Sequence, residues 1–248
     1  MSDFKIGIDY GGTKIEGILI DSNGKEILRK RSTYEKNYES GLNTVKSLVS
    51  EFDKFTDQQN SVGVCIPGFS SYETGLVNNA NCIWINDKPF HKDLEKSLNR
   101  EIRIMNDANC FALSEAIDGS GANYKSVWGV IIGSGFGGSF VYEKKVIEGV
   151  NQIAGDWGHQ PLPYPTEEEI DSNVQCNVGN CKRPLCAEQF ISGIGFTKLF
   201  NEKYGTSLRT REIVALEANG DERAKKEFEL YEDRFARLIS VMIGIVDP

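Results

Sequence analysis

Lys5-Ile6-Gly7-Ile8-Asp9-Tyr10-Gly11-Gly12-Thr13-Lys14-Ile15-Glu16-Gly17-Ile18-Leu19-Ile20 reads as a strand, a glycine turn and a second strand. Phe4, Ile6 and Ile8 alternate with small or polar residues before the turn, as Ile18 and Ile20 do after it, which is the period of a half-buried strand. Because this loop joins strand to strand, it is not a P-loop, where glycines lead into a helix aimed at phosphates. Gly11 and Gly12 still let backbone N–H groups approach an anion closely, Thr13 adds a hydroxyl and Lys14 a positive charge. Asp9, at the strand end, is suited to hold magnesium through water. An ordinary Gly-Gly hairpin turn is the alternative reading.

The pattern returns in the second half. Residues 127–132 form an apolar strand, Gly133-Ser134-Gly135-Phe136-Gly137-Gly138 another glycine turn and residues 139–142 a further strand, with Val146-Ile147 after a polar turn. Such a repeat is more specific than either loop, and two loops facing each other would grip a polyphosphate from both sides. Between the repeats, residues 26–29 read as a third strand. Leu42, Val45, Leu48, Val49 and Phe52 recur at helical spacing, and residues 61–66 read as a buried parallel strand stopped by Pro67-Gly68. In the polar stretch 72–86, Asn78, Asn79 and Asn81 offer amide donors and acceptors that suit a polyol or, equally, turn chemistry. A helix over 90–98 leads to the strand that ends in Asn106-Asp107. The order β-β-β-α-β-α-β-α closes one domain near residue 119 and leaves 120–248 for a second.

Asn106-Asp107 lies where a predicted strand ends and a helical pattern of Ala108, Phe111, Ala112 and Glu115 begins, the usual ligand corner of an open α/β sheet. A carboxylate there can take a proton from an alcohol during phosphoryl transfer. A plain helix cap by Asp107 is the competing reading.

With 248 residues, 40% of them hydrophobic, the chain can build a sizeable core, and its net charge of −8 argues against nucleic acid or anionic membrane as a partner. Without a leader pattern or an apolar run of membrane length, a cytoplasmic protein is expected. Cys65, Cys82 and Cys110 stand singly, as small buried hydrophobes do in a reducing compartment. Cys176, Cys181 and Cys186 cluster and, with His159, supply four ligands of the kind a closed tetrahedral zinc site takes.

These residues together resemble the ROK sugar kinases, within the actin-like ATPase superfamily that includes hexokinases. The resemblance runs through Asp9–Lys14, Pro67-Gly68, Asn106-Asp107-Ala108-Asn109, Gly133–Gly138, Gly158-His159 and the cysteine cluster followed by Glu188. Residues 77–94, with Asn79-Ala80-Asn81 and Trp84, are most similar to the bacterial fructokinase (manno-fructokinase) branch, and next to N-acetylglucosamine kinase. It implies an α/β fold of two ribonuclease H-like domains around a cleft and ATP-dependent phosphorylation of a hexose hydroxyl. Fructose is the expected substrate, N-acetylglucosamine or another hexose the alternative. Asp107 would be the base. Asn106, Asn81, Gly68, Asp156, His159 and Glu188 would meet the sugar, while Gly11, Gly12, Thr13, Lys14, Gly133, Ser134 and Gly135 would face the ATP phosphates, with Asp9 near magnesium. Family members commonly pair, so a homodimer is expected.

Three departures qualify the match. A Cys-x-Cys start is usual in the family, but Cys176-Asn177-Val178 lacks its second cysteine and Cys181 must replace it, free thiols being the alternative to zinc. Asp156 stands where a sugar-touching glutamate is usual, its carboxylate set back by roughly 1.5 Å, one carbon–carbon bond. Residues 192–204, 211–218 and 222–246 read as three helices with Thr210 and Asp221 as N-caps and Gly205 and Gly220 as stops, after which a further strand, glycine loop and helices are expected but not found. The second domain therefore reads as incomplete. That predicts an unpaired sheet edge, exposed helix faces and weakened or absent kinase activity, the rival reading being a non-catalytic sugar-binding homologue.

Overall fold

In the computed structural model, which describes residues 4–176 and 181–248, the opening hairpin is β1 (Lys5–Tyr10) paired antiparallel with β2 (Lys14–Ile20). Alternation buries Ile6, Ile8 and Tyr10 on one face of β1, as the period of two requires. β3 (Glu26–Thr33) pairs with β2 and runs past Arg29, where the sequence reading ended it. The extension is polar: Glu16 on β2 takes Arg29 at 2.7 Å and Arg31 at 2.5 Å across the strands, a device with no hydrophobic period to betray it.

α1 (Tyr38–Thr56) starts at Asn37, whose side chain accepts from the Ser40 N–H, and ends at Asp57 in the left-handed region. Its Leu42, Val45, Leu48, Val49 and Phe52 bury against Ile6, Ile8, Ile15 and Leu19 of the hairpin, each worth roughly 2 kcal/mol by area. Gly41 in the first turn has a specific cause: a Cβ there would collide with the Tyr10 hydroxyl. β4 (Ser61–Ile66) lies parallel to β1, and β7 (Arg103–Asn106) parallel to β4. The sheet order β3-β2-β1-β4-β7 is the ribonuclease H-like arrangement that the resemblance implies. Between β4 and β7 stand α2 (Phe90–Leu98) and, in the stretch read as irregular, a small antiparallel pair, β5 (Phe69–Ser70) and β6 (Val77–Asn78), and a 3₁₀ turn over Ile83–Ile85.

α3 (Asp107–Ile117) follows β7 directly. The described chain packs as two units, one of residues up to Cys110 with Val150–Gln152, the other Phe111–Gly149 with Ile153–Pro248, so the division falls inside α3. In the second unit β8 (Ser126–Ile132), β9 (Phe136–Tyr142) and β10 (Lys145–Val146) form an antiparallel meander that repeats β1-β2-β3. Among the described residues β8 is an edge strand.

Two short helices that no hydrophobic period announced follow, α4 (Glu167–Asp171) and α5 (Ala187–Ile191). Then come α6 (Gly193–Tyr204), α7 (Thr210–Ala218) and α8 (Glu222–Val246), within a residue or two of expectation. Asp221 caps α8 through the Arg223 and Ala224 N–H groups, but α7 is capped at Arg209, not Thr210. There the Glu212 carboxylate reaches back to the Arg209 N–H and guanidinium, moving the start one residue earlier. The long apolar stripe of α8 finds its partner surface in this unit: Phe235, Leu238, Ile239 and Met242 pack with Phe136, Trp157 and Phe190. Its last turn leaves Ile243 and Ile245 exposed. No described helix is long and apolar enough to cross a membrane.

Candidate functional site

At the β7–α3 corner the side chain that caps the helix is Asn106. Its Oδ1 accepts from the Ala108 N–H at 2.9 Å and the Asn109 N–H at 3.3 Å, while its Nδ2 donates to the Gly68 carbonyl at 2.9 Å. Asp107 is thus the first helical residue and not the cap, which corrects the competing reading. One of its oxygens accepts from the Ala108 N–H at 2.8 Å, and the residue keeps an exposed face. Protein nevertheless surrounds enough of the carboxyl that lost hydration raises its pKa, against the Ala108 hydrogen bond and aided by the negative charge of Asp9. A carboxylate poised upward is better matched to proton abstraction than an ordinary one.

Asp9, next to last in β1, pairs with Cys65 of β4, whose thiol donates to its Oδ1 at 3.4 Å. A carboxylate at this strand end is a hard-oxygen donor, so Asp9 fits magnesium by chemistry. The loop Gly11–Thr13 is short, and the Gly11 N–H donates to the Lys14 carbonyl at 3.2 Å. The hairpin alternative and the phosphate reading therefore describe the same backbone. Thr13 and Lys14 are exposed.

Gly68 has φ +83°, and a Cβ on it would meet the Ala80 N at 2.7 Å, so only glycine fits where this backbone crosses the stretch preceding Asn81. Asn81 itself is exposed. Asn86, which sequence reasoning passed over, holds that loop: its side chain accepts from the Ala80 N–H and donates to the Ala80 carbonyl, both at 2.9 Å. Nothing in a run of asparagines distinguishes the one that clamps from those that face solvent.

The second unit gathers Asp156, His159 and Glu188. His159 Nε2 lies 3.2 Å from Glu188 Oε2. Glu188, in the first turn of α5, is 7% exposed and has its pKa raised by burial, against the pull of His159 and with the repulsion of Asp156. A Cβ on Gly135 would come within 2.9 Å of Glu188 Oε1, so the second glycine loop is shaped around this carboxylate. The Gly133 carbonyl of the same loop accepts from the Gly193 N–H at 2.8 Å, and Ser134 is exposed.

Behind Glu188, one ligand atom each of His159, Cys176, Cys181 and Cys186 lies within 4.8 Å of the others. Cys181 and Cys186 sulfurs are 3.8 Å apart and Cys186 Sγ is 3.5 Å from His159 Nδ1. A tetrahedron with bonds of about 2.3 Å to sulfur and about 2.0 Å to nitrogen has edges of about 3.8 and 3.5 Å, so the residues fit zinc. Cys181 does take the place of the missing ligand. Asn177 and Val178, where the usual spacing puts it, lie outside the described residues.

The spacing misled because the chain doubles back. Bridges between Gln175 and Pro184, with Cys176 N–H donating to the Arg183 carbonyl at 2.9 Å, bring Cys176 beside Cys186. Were His159 to hold zinc through Nδ1, which faces Cys186, its Nε2 would be left to the Glu188 carboxylate.

Comparison with known proteins agrees with this geometry. The chain is 39% identical over 243 residues to an N-acetyl-D-glucosamine kinase of Citrobacter koseri, covering 98% of itself and 80% of that protein. It is 37% identical to the enzyme of that name from Pasteurella multocida, covering 98% and 81%. The structure superposes on the ROK hexokinase from Thermus thermophilus with a TM-score of 0.85 at 21% identity, over 99% of this chain and 79% of that one, which establishes the two-domain hexokinase-like α/β fold. Residues 5–248 match the ROK family throughout, and with relatives this similar the chain belongs to the ROK family of sugar kinases and their homologues.

Proposed function

We propose that the protein transfers the γ-phosphoryl group of ATP to a hydroxyl of N-acetyl-D-glucosamine. The sugar rests on one observation: relatives 37–39% identical over 98% of the chain bear that substrate in their names, and this replaces the fructose expected from residues 77–94. The reaction type is supported by the corner, where Asn106 takes over the capping and leaves Asp107 with a raised pKa and an exposed face. In this reading Asp107 accepts the proton of the sugar hydroxyl as its oxygen bonds to the γ-phosphorus. The bond from phosphorus to the β,γ-bridging oxygen breaks, and ADP leaves. In the first unit Lys14 and the N–H groups of Gly11–Thr13 offset charge on the phosphates and Asn106 and Asn81 offer hydrogen bonds to the sugar; in the second, Asp156, His159 and Glu188 are the candidate sugar contacts.

Asp9 would hold the magnesium that accompanies ATP and neutralises its phosphates, leaving Asp107 free to act as base. His159, Cys176, Cys181 and Cys186 would hold zinc, whose closed ligand set supplies bracing and no reactive position. The test is a coupled assay of the protein with ATP–Mg and a panel of hexoses, with Asp107→Asn as control. N-acetylglucosamine should give the highest kcat/KM, and the variant should lose roughly 10²- to 10⁴-fold, the usual contribution of a general base. A preference for fructose would overturn the substrate, and full activity in Asp107→Asn would overturn the base.

A further inference from the structure

Beneath the glycine loop of the first unit lies a cluster of packed aromatic side chains with two hydrogen bonds that the catalytic reading does not use. Trp84, in the 3₁₀ turn just after Asn81, donates its indole N–H to the Tyr10 hydroxyl at 3.1 Å. Tyr10 is fully buried and packs against Tyr34, their rings 5.5 Å apart, and the Trp84 ring meets Tyr34 edge-on at 6.0 Å. The Tyr34 hydroxyl lies 2.9 Å from the Gly11 carbonyl, which can only accept. The Tyr34 proton is therefore spent on Gly11, while the rings of Tyr10 and Trp84, themselves joined by the indole hydrogen bond, pack against the Tyr34 ring and hold it beneath the loop.

The hydrogen bond to Gly11 is what matters. A peptide is planar and trans, so a Gly11 carbonyl held toward Tyr34 turns the Gly12 N–H in the opposite direction, away from the core. Glycine is otherwise free to rotate that peptide, and an anion site made of glycine N–H groups loses its aim if the peptide flips. Gly41 shows that the fold is shaped around this cluster, since any larger residue there would displace the Tyr10 hydroxyl, and a glycine inside a helix costs about 1 kcal/mol.

We propose that Trp84, Tyr10 and Tyr34 are positioning residues that lock the Gly11–Gly12 peptide in its phosphate-binding orientation and tie it to the loop carrying Asn81. This rests on the reading of Asp9–Lys14 as the nucleotide phosphate loop. Calorimetric titration of ADP with excess magnesium tests both parts. The wild type should bind, and Tyr34→Phe should bind roughly tenfold more weakly, the equivalent of one net hydrogen bond. The KM for the hexose should stay within about twofold, a split that general destabilisation would not produce. Tyr10→Phe combined with Tyr34→Phe should be no weaker than Tyr34→Phe alone, because Tyr10 reaches the loop only by holding Tyr34 in place. Should Tyr34→Phe not fold, Trp84→Phe decides, with a smaller loss in the same direction expected. Unchanged ADP affinity in whichever variant folds overturns the positioning role and leaves the phosphate loop standing; no ADP–Mg binding by the wild type removes the phosphate loop and this inference with it.

Discussion

Asp107 illustrates how a site residue can work against the fold that holds it. Its pKa is raised by lost hydration and by Asp9, so the native state favours the protonated form more than the unfolded chain does. As pH rises from the ordinary 3.8 to the raised native value, the native state binds more protons than the unfolded one and stability falls; above that value the loss is constant. Asp107→Asn should therefore melt at a higher temperature than the wild type near neutral pH, the two converging as pH drops below the ordinary value. The same raised pKa should make wild-type kcat fall on acidification sooner than an unperturbed aspartate would. A lower melting temperature for the variant at pH 7, measured by circular dichroism, would sink the argument. The Asn106-Asp107 corner was legible as the junction of strand and helix from the pattern on either side of it. Which of the two caps was not, because that turns on a one-residue shift in the helix start. Tyr34, Trp84 and Asn86 were illegible as loop holders for a deeper reason: side chains that hold distant backbone leave no period and no local motif.

Elements were easier to read where they bury one face. α1 and α8 announced themselves by apolar spacing, and β4 by its apolar run, whereas β5, β6, α4 and α5, at two to five residues each, are too short for a period to show even where, as in α5, they are buried. α4 carries a signal that was there to be used, the capping box of Thr166 and Glu169, in which the Thr166 side chain accepts from the Glu169 N–H at 3.2 Å and Glu169 returns to the Thr166 N–H at 2.9 Å. The structure adds a second role for that glutamate. It is 5% exposed and pairs with Arg234 at 2.7 Å and Arg237 at 2.8 Å, while Arg237 also donates to the carbonyls of Pro163 and Tyr164. α8 is thereby fastened to the segment between His159 and the cysteines. Burial alone would push the Glu169 carboxyl up, but hydrogen bonds from Arg237, Arg234 and the Thr166 N–H outweigh it and hold it at about 2. Breaking a buried pair on one side strands the other charges, so Glu169→Gln should cost roughly 3–5 kcal/mol in urea denaturation at pH 7. Because the native pKa is depressed, the ion pairs contribute fully above the ordinary 4.5 and fade as pH falls through about 2. The gap between wild type and variant should narrow in acid, and a gap that ignores pH would mean that packing, not charge, holds α8 there.

At the scale of the whole molecule the two units differ in how their cores are built. The first has one continuous apolar cluster running from Ile6 through α1 and β4 to Ile102. The second divides its apolar residues among three clusters, around Phe136 and Trp157, around Phe196 and Phe200, and around Ala112 and Val141. A unit with a divided core depends more on cross-links, and in the second unit the four zinc-type ligands sit against the first of these clusters, with Cys186 directly preceding Ala187. A metal bound only by the folded state adds its binding free energy to that unit alone. Removing it with a chelator should lower the melting of the second unit by at least about 10 °C and leave the first in place. The chain carries its own reporters, since Trp84 lies in the first unit and Trp128 and Trp157 in the second, and these are its three tryptophans. Calorimetry should show two transitions in the chelated protein. In a variant with Trp128→Phe and Trp157→Phe, fluorescence should follow only the transition that the chelator leaves unmoved. A single transition that shifts as a block would mean that the two units melt as one cooperative body, and an unshifted pair of transitions would mean that the cysteines and His159 hold no metal.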